Sequence, residues 1–219
     1  MGQESDVKES QVGGRPLAAN SQAPGTVIAR PSFCCGISAS GVAFQKESQL
    51  APDFTAATKD CAIVWIDSPV ADVNGQAGSL AAALGFDQSL VYLLLEAHSA
   101  AYEDRETELG LLLPAIRVEQ FRVEALPVII LIRKNLVFTI HSTEVKRLDG
   151  LVRYAGTFMK KIPADLPVED KVTRILIRII DRINEKNFEH LRYLEEQGDE
   201  LNRLLMDPQT PRALGPRDL

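Results

Sequence analysis

The apolar positions of the chain change period twice, and those changes divide it into segments. Residues 1 to about 30, "MGQESDVKESQVGGRPLAANSQAPGTVIAR", show no apolar periodicity and are rich in Gly, Ser, Gln, Ala and Pro. Such a segment cannot offset its ordering entropy and reads as a disordered leader. From Phe33 to Glu47 one or two short strands are expected, with "GVAFQKE" alternating apolar and polar side chains. "CAIVWIDS", Cys61 to Ser68, is a β-branched and aromatic run that predicts a strand ending at Pro69. Two short helices should follow, the first closing at Gly85 and the second capped by Asp87. Residues 102 to 142 hold three or four strand-like runs, with breaks predicted at Gly110, Pro114, Glu124 to Pro127 and Lys134-Asn135. The last break has the chemistry of a tight hairpin turn with Asn135 in a left-handed conformation.

After Thr143 the spacing becomes helical. Val145, Leu148, Leu151 or Val152, Ala155 and Phe158 recur at three- and four-residue steps, so this segment reads as an amphipathic helix, with Ser142 and Thr143 as its cap. "PADLPVED" interrupts the pattern, which then resumes from Val168 to about Met206 and stops at Asp207-Pro208. At a rise of roughly 1.5 Å per residue this is a helix of about 58 Å. Its first half is densely apolar (Val168, Val172, Ile175, Leu176, Ile179, Ile183) and its second thinly so (Phe188, Leu191, Leu194, Leu201, Leu204, Leu205). The asymmetry predicts a helix that begins against a domain and then projects from it to meet other helices.

The predicted fold is therefore α/β, a mixed β-sheet sandwiched by helices and followed by one very long acidic helix. Its organisation is a disordered leader (1–30), an α/β domain (31–165), a projecting helix (166–207) and a disordered tail (208–219).

Composition narrows the function. Thirty acidic against 24 basic residues give a formal charge of −6, which offers no basic field to nucleic acid and leans towards cations. The polar, acidic N-terminus is not a secretory signal, and Asp6 breaks the myristoylation pattern begun by Gly2 and Ser5. No apolar run reaches eighteen residues, so the chain as given is expected to be soluble and not to span a membrane. Cys34, Cys35 and Cys61 lack metal-ligand spacing, and a vicinal disulfide would be strained, which fits a reducing compartment.

Candidate chemistry is sparse. His98, His141 and His190 lie on different predicted elements, and His141 reads as a polar strand terminus. Asp67, before Ser68-Pro69, reads as a turn residue. "GISASG" lacks the lysine of a phosphate loop. No nucleophile, acid–base pair or cofactor loop points to an enzyme. Glu103, Asp104, Glu106 and Glu108 form one acidic group and Glu195, Glu196, Asp199 and Glu200 another; either reads first as a solvated face and second as a weak oxygen site for a hard cation. Glu169 and Asp170 sit where carboxylates complement a helix dipole.

In order and spacing, Trp65-Ile66-Asp67, Gly85 to Ser89, Lys134-Asn135 through Thr139-Ile140-His141, and Ile179-Ile180-Asp181 followed by Phe188 resemble the cytoplasmic domain of the CorA magnesium-transporter family, over roughly residues 60 to 207. The resemblance implies a homopentameric channel for Mg²⁺, in some members Co²⁺, whose intracellular part senses the cation through acidic residues between identical subunits. It implies a place at the cytoplasmic face of the cell membrane, held by membrane helices expected after residue 219 together with a Gly-Met-Asn motif. On this resemblance the regulatory metal ligands would be Glu169, Asp170, Glu103 and Asp104, with Mg²⁺ or Co²⁺ weakly bound. The chain departs from the family pattern at Tyr92 and Leu93, where an acidic pair is usual, and at Thr173. The alternative is a soluble protein–protein interaction module that uses the long helix without metal.

Overall fold

The computed structural model describes residues 30–97, 99–119 and 122–206. The leader up to residue 29, the tail from 207 and His98 lie outside the described residues. Seven strands form one mixed sheet: β1 (Ser32–Ser38), β2 (Ala43–Ser48), β3 (Cys61–Val70), β4 (Ala101–Asp104), β5 (Leu109–Glu119), β6 (Arg122–Arg133) and β7 (Leu136–Ser142). Their spatial order is β2-β1-β3-β7-β6-β5-β4. Among the described residues only β3 and β7 pair in parallel, with Asp67 opposite Thr139.

Strand alternation sorts the side chains into two cores. On one face Cys34, Val64, Ile66, Phe138 and Ile140 pack against a short 3₁₀ turn (Ala51–Phe54) and helices α2 (Val73–Ala83) and α3 (Gln88–Glu96). On the other, Phe33, Cys35, Ile63, Trp65 and Val137 pack against α4 (Arg147–Met159) and α5 (Val168–Met206). The one-turn helix α1 (Thr55–Lys59) precedes β3. The result is the expected helix–sheet–helix sandwich with a long final helix.

Local chemistry explains the boundaries. Gly85, at φ +85°, ends α2 in a Schellman motif: Phe86 N–H donates to Ala81 C=O at 2.9 Å and Gly85 N–H to Ala82 C=O at 2.8 Å. Asp87 caps α3 by accepting from Ser89 N–H at 2.9 Å, as predicted.

Four details differ from the sequence reading. Strand β3 runs through Pro69, which pairs with His141 of β7 at a point beyond the β1 ladder, where the missing N–H is not needed. Strands β5 and β6 run through Gly110, Pro114 and Pro127; the two prolines face each other, and because the Pro114 carbonyl points to the outer edge, where it accepts from Asn187, they form a non-hydrogen-bonded pair in which neither missing N–H is needed by the other strand. In the β6–β7 turn it is Lys134, at φ 51°, that takes the left-handed conformation, while the Asn135 carboxamide donates to Cys61 C=O at 2.6 Å. Helix α4 has Lys146 at its N-cap, which makes no side-chain cap; the Ser142 hydroxyl instead accepts from Glu144 N–H at 3.2 Å.

Helix α5 holds the sheet with its first half. Val172, Ile175, Ile179 and Ile183 are buried at three- and four-residue steps, each worth about 1.5–3 kcal/mol. Asn187 then completes the open edge of β5 as a strand would, donating to Pro114 C=O at 2.8 Å and accepting from Ile116 N–H at 2.8 Å. Arg147 locks the junction, donating to Asn187 Oδ1 at 2.5 Å, to Ile183 C=O at 3.1 Å and to Ile116 C=O. Beyond it Phe188, Leu191, Leu204 and Leu205 are exposed.

Candidate functional site

The strand arrangement that builds the core also brings a polar cluster into it. Asp67, Thr139 and His141 fall on the sheet face covered by α4 and α5, because they alternate with the residues of the other face. All three are buried. The Asp67 carboxylate accepts from Arg30 and from the Thr139 hydroxyl, and lies 3.3 Å from His141 Nε2. Arg30 also reaches Asp149 of α4 at 2.7 Å, and Trp65 donates its indole N–H to Thr139 at 3.1 Å. His141 Nδ1 contacts Ser142 C=O at 2.8 Å, which fixes the ring from its other side.

Burial by itself would raise the Asp67 pKa, but the neighbouring His141 ring, Arg30 and the Thr139 hydroxyl outweigh it and hold the carboxyl well below the usual carboxylate range. Asp67 is thus neither a turn residue nor a surface ligand, and His141 is more than a strand terminus. The parallel β3–β7 register, which places Asp67 beside Thr139 and two residues from His141, is a long-range fact that local sequence does not carry. The nearest local signal was a charged residue inside an otherwise apolar strand. Asp67, Thr139 and His141 are closed to solvent, and through the partly exposed Arg30, two residues before β1, the cluster ties the chain's entry into the sheet to the sheet centre and to α4; its chemistry suits fixing these elements together.

The four carboxylates singled out from the sequence do not converge. Glu103 and Asp104 lie on β4, the edge strand at the β5 end of the sheet. Glu169 and Asp170 occupy the first turn of α5, where Glu169 C=O accepts from the Thr173 hydroxyl at 2.8 Å. Asp170 lines a groove between α4 and α5 with Lys161, Arg174 and Arg178 as neighbours. Among the described residues no three His, Cys, Asp or Glu side chains come together as a metal-binding group. Tyr92 and Leu93 are exposed on α3, and the Tyr92 ring lies against α2 at Gly78. No helix among the described residues is long and apolar enough to cross a membrane.

Sequence comparison matches residues 60–215 to the family described as CorA-like Mg²⁺ transporter protein. The chain belongs to this family. The CorA-like match covers everything from β3 onward, including the long helix. Comparison with curated proteins finds no match. Among solved structures the chain is similar to the complete CorA magnesium transporter from Methanocaldococcus jannaschii, with 20% identity and a TM-score of 0.55 over 82% of this chain and 53% of that one. It is also similar to the soluble domain of the same CorA, with 20% identity and a TM-score of 0.52 over 81% and 67% of the two chains. A third likeness is to the full-length CmaX protein, with 12% identity and a TM-score of 0.51 over 84% and 53%. The CorA soluble-domain fold is therefore shared, and this chain spans about half the length of the full-length relatives.

Proposed function

We propose that this chain is the regulatory and assembly domain of a CorA-like divalent-cation transporter, acting at the cytoplasmic face of the membrane. The observation that carries the reading is the combination of family membership with a helix whose outer half leaves Phe188, Leu191, Leu204 and Leu205 uncovered within one chain. Identical subunits, five in the full-length assembly, would cover that surface. The cation, Mg²⁺ or secondarily Co²⁺, would be held weakly by oxygen ligands from Glu169 and Asp170 or from Glu103 and Asp104, each pair completed by a neighbouring subunit. The charge it neutralises lets acidic faces approach, and its loss lets them separate, so ion occupancy biases the assembly between closed and open arrangements. No single chain needs a complete site for this mechanism.

The test is sedimentation of the chain with and without millimolar Mg²⁺, alongside its melting temperature. Metal-dependent association and a raised Tm are expected, both weakened by Asp170→Asn combined with Glu103→Gln. A Tm and sedimentation coefficient indifferent to Mg²⁺ and Co²⁺ would refute sensing. That result would favour the second reading, an interaction module that pairs its long helix without metal, for which the scattered carboxylates and the exposed Tyr92 and Leu93 speak.

A further inference from the structure

Beside the start of α4, where it meets β5 and α5, lies a cleft of about 320 Å³. Six basic side chains, Arg117, Lys146, Arg147, Arg182, Lys186 and His190, line it against a single carboxylate, Glu144. Three of these cations are offset within the chain: Arg117 by Glu124 and by Glu144 at 2.5 Å, Arg182 by Glu185 at 2.7 Å, and Lys186 by Glu189 at 2.5 Å. Arg147 and Lys146 are not. Arg147 is half-buried, and its partners are neutral acceptors, the carbonyls of Ile183 and Ile116 and the Asn187 carboxamide. Among the described residues neither Arg147 nor Lys146 has a carboxylate at ion-pair distance. Burial first, and then the charge of Arg182, lower the pKa of Arg147, with only partial relief from Glu189. A partly desolvated cation in that state attracts a counter-anion.

Two independent features of the same cleft point the same way. Helix α4 begins there with no side-chain cap, and Asp149, the acidic residue of its first turn, is already engaged by Arg30 at 2.7 Å, so the free backbone N–H groups of the helix start are left without a side-chain acceptor. Ala115, Leu126 and Val145 supply apolar walls, which strengthen any charge interaction made between them.

We propose that this cleft binds a phosphate-type oxyanion, set against Arg147 and Lys146 at the uncapped start of α4. The guanidinium and ammonium supply charge-assisted donors, and the helix start adds backbone polarity suited to a dianion. Because Arg147 also holds Asn187 and the β5 edge, an anion there would stiffen the junction between the sheet and α5. This site is separate from any carboxylate–cation site, and it stands whether or not the chain senses Mg²⁺.

Titration of the full chain with inorganic phosphate, at ionic strength held constant with chloride and without metal, tests it by calorimetry and by Tm. Saturable binding and a rise in Tm are expected. Lys146→Glu, a change at an exposed side chain, should weaken binding by about tenfold or more, while Lys46→Glu on the distant strand β2 should leave it unchanged. Arg147→Lys, which keeps the charge but loses the fork, should weaken it less than Lys146→Glu. Metal-free ATP separates two sources of the same chemistry: tighter binding than phosphate assigns the site to nucleotides, equal or weaker binding to free phosphate. Stabilisation by phosphate no greater than by chloride, or equal losses in Lys146→Glu and Lys46→Glu, would overturn the proposal.

Discussion

Replacing Asp67 with alanine removes the one carboxylate shared by Arg30, Thr139 and His141. Removing one member of a buried pair costs about 3–5 kcal/mol, because the other is left desolvated without a partner. Arg30 retains Asp149 at 2.7 Å and its side chain is 23% exposed, so the loss should fall near the lower limit, about 3 kcal/mol. For a domain of this size that is a Tm decrease of about 6–12 °C. Urea unfolding followed by the fluorescence of Trp65, the single tryptophan, reads the same cluster, since its indole bonds to Thr139. The pH dependence is the sharper assay. The folded-state pKa of Asp67 is depressed, so its contribution is complete above the unfolded value of about 4 and declines as pH falls towards the folded one. The stability gap between wild type and Asp67→Ala should therefore shrink by about 1.4 kcal/mol per pH unit below pH ~4. A gap below about 1 kcal/mol at neutral pH, or one that stays constant down to pH ~3, would refute the ionised, buried network.

Asn187→Ala leaves Ile116 N–H and Pro114 C=O unmatched, at about 1–3 kcal/mol; hydrogen exchange at the Ile116 amide should accelerate, and unchanged protection would contradict the strand-like role of Asn187. Ile179→Ala, at a fully buried position, should cost about 2–5 kcal/mol, whereas Leu205→Ser on the exposed outer half should change unfolding by no more than about 0.5 kcal/mol in the unassociated chain; calorimetry compares them, and equal losses would place the outer half against a core. Burial pushes the Cys34 thiol up to about 12 and raises Cys35 well above the ordinary thiol range, so at mildly alkaline pH a thiol reagent should modify both only after unfolding. Rapid labelling of either in the native state would count against their burial.

Elements with a strong local period were legible in the sequence. The 39-residue helix declares itself by Val172, Ile175, Ile179 and Ile183, and α2 by its terminal glycine. Misreadings came where tertiary pairing overrides a local signal. Pro69, Pro114 and Pro127 look like breaks, yet each sits where a strand does not need its N–H. Asp67 and His141 lie 74 residues apart and become neighbours only through the parallel register. The oxyanion cleft was equally hidden, because its charge depends on which basic side chains find carboxylates after folding, and Arg147 does not. The carboxylates named for metal were visible as acidic runs, but the runs lie on separate elements.

The Arg147–Asn187 junction also acts as a fulcrum. Nineteen residues of α5 follow Asn187, an arm of about 29 Å at ~1.5 Å per residue. A rotation of about 5° at the junction would sweep the far end through about 2.5 Å, roughly half a helical turn. Small repacking beneath Asn187, from an anion or from a neighbour, is thereby converted into a displacement at the tip comparable to the size of an ion's coordination shell.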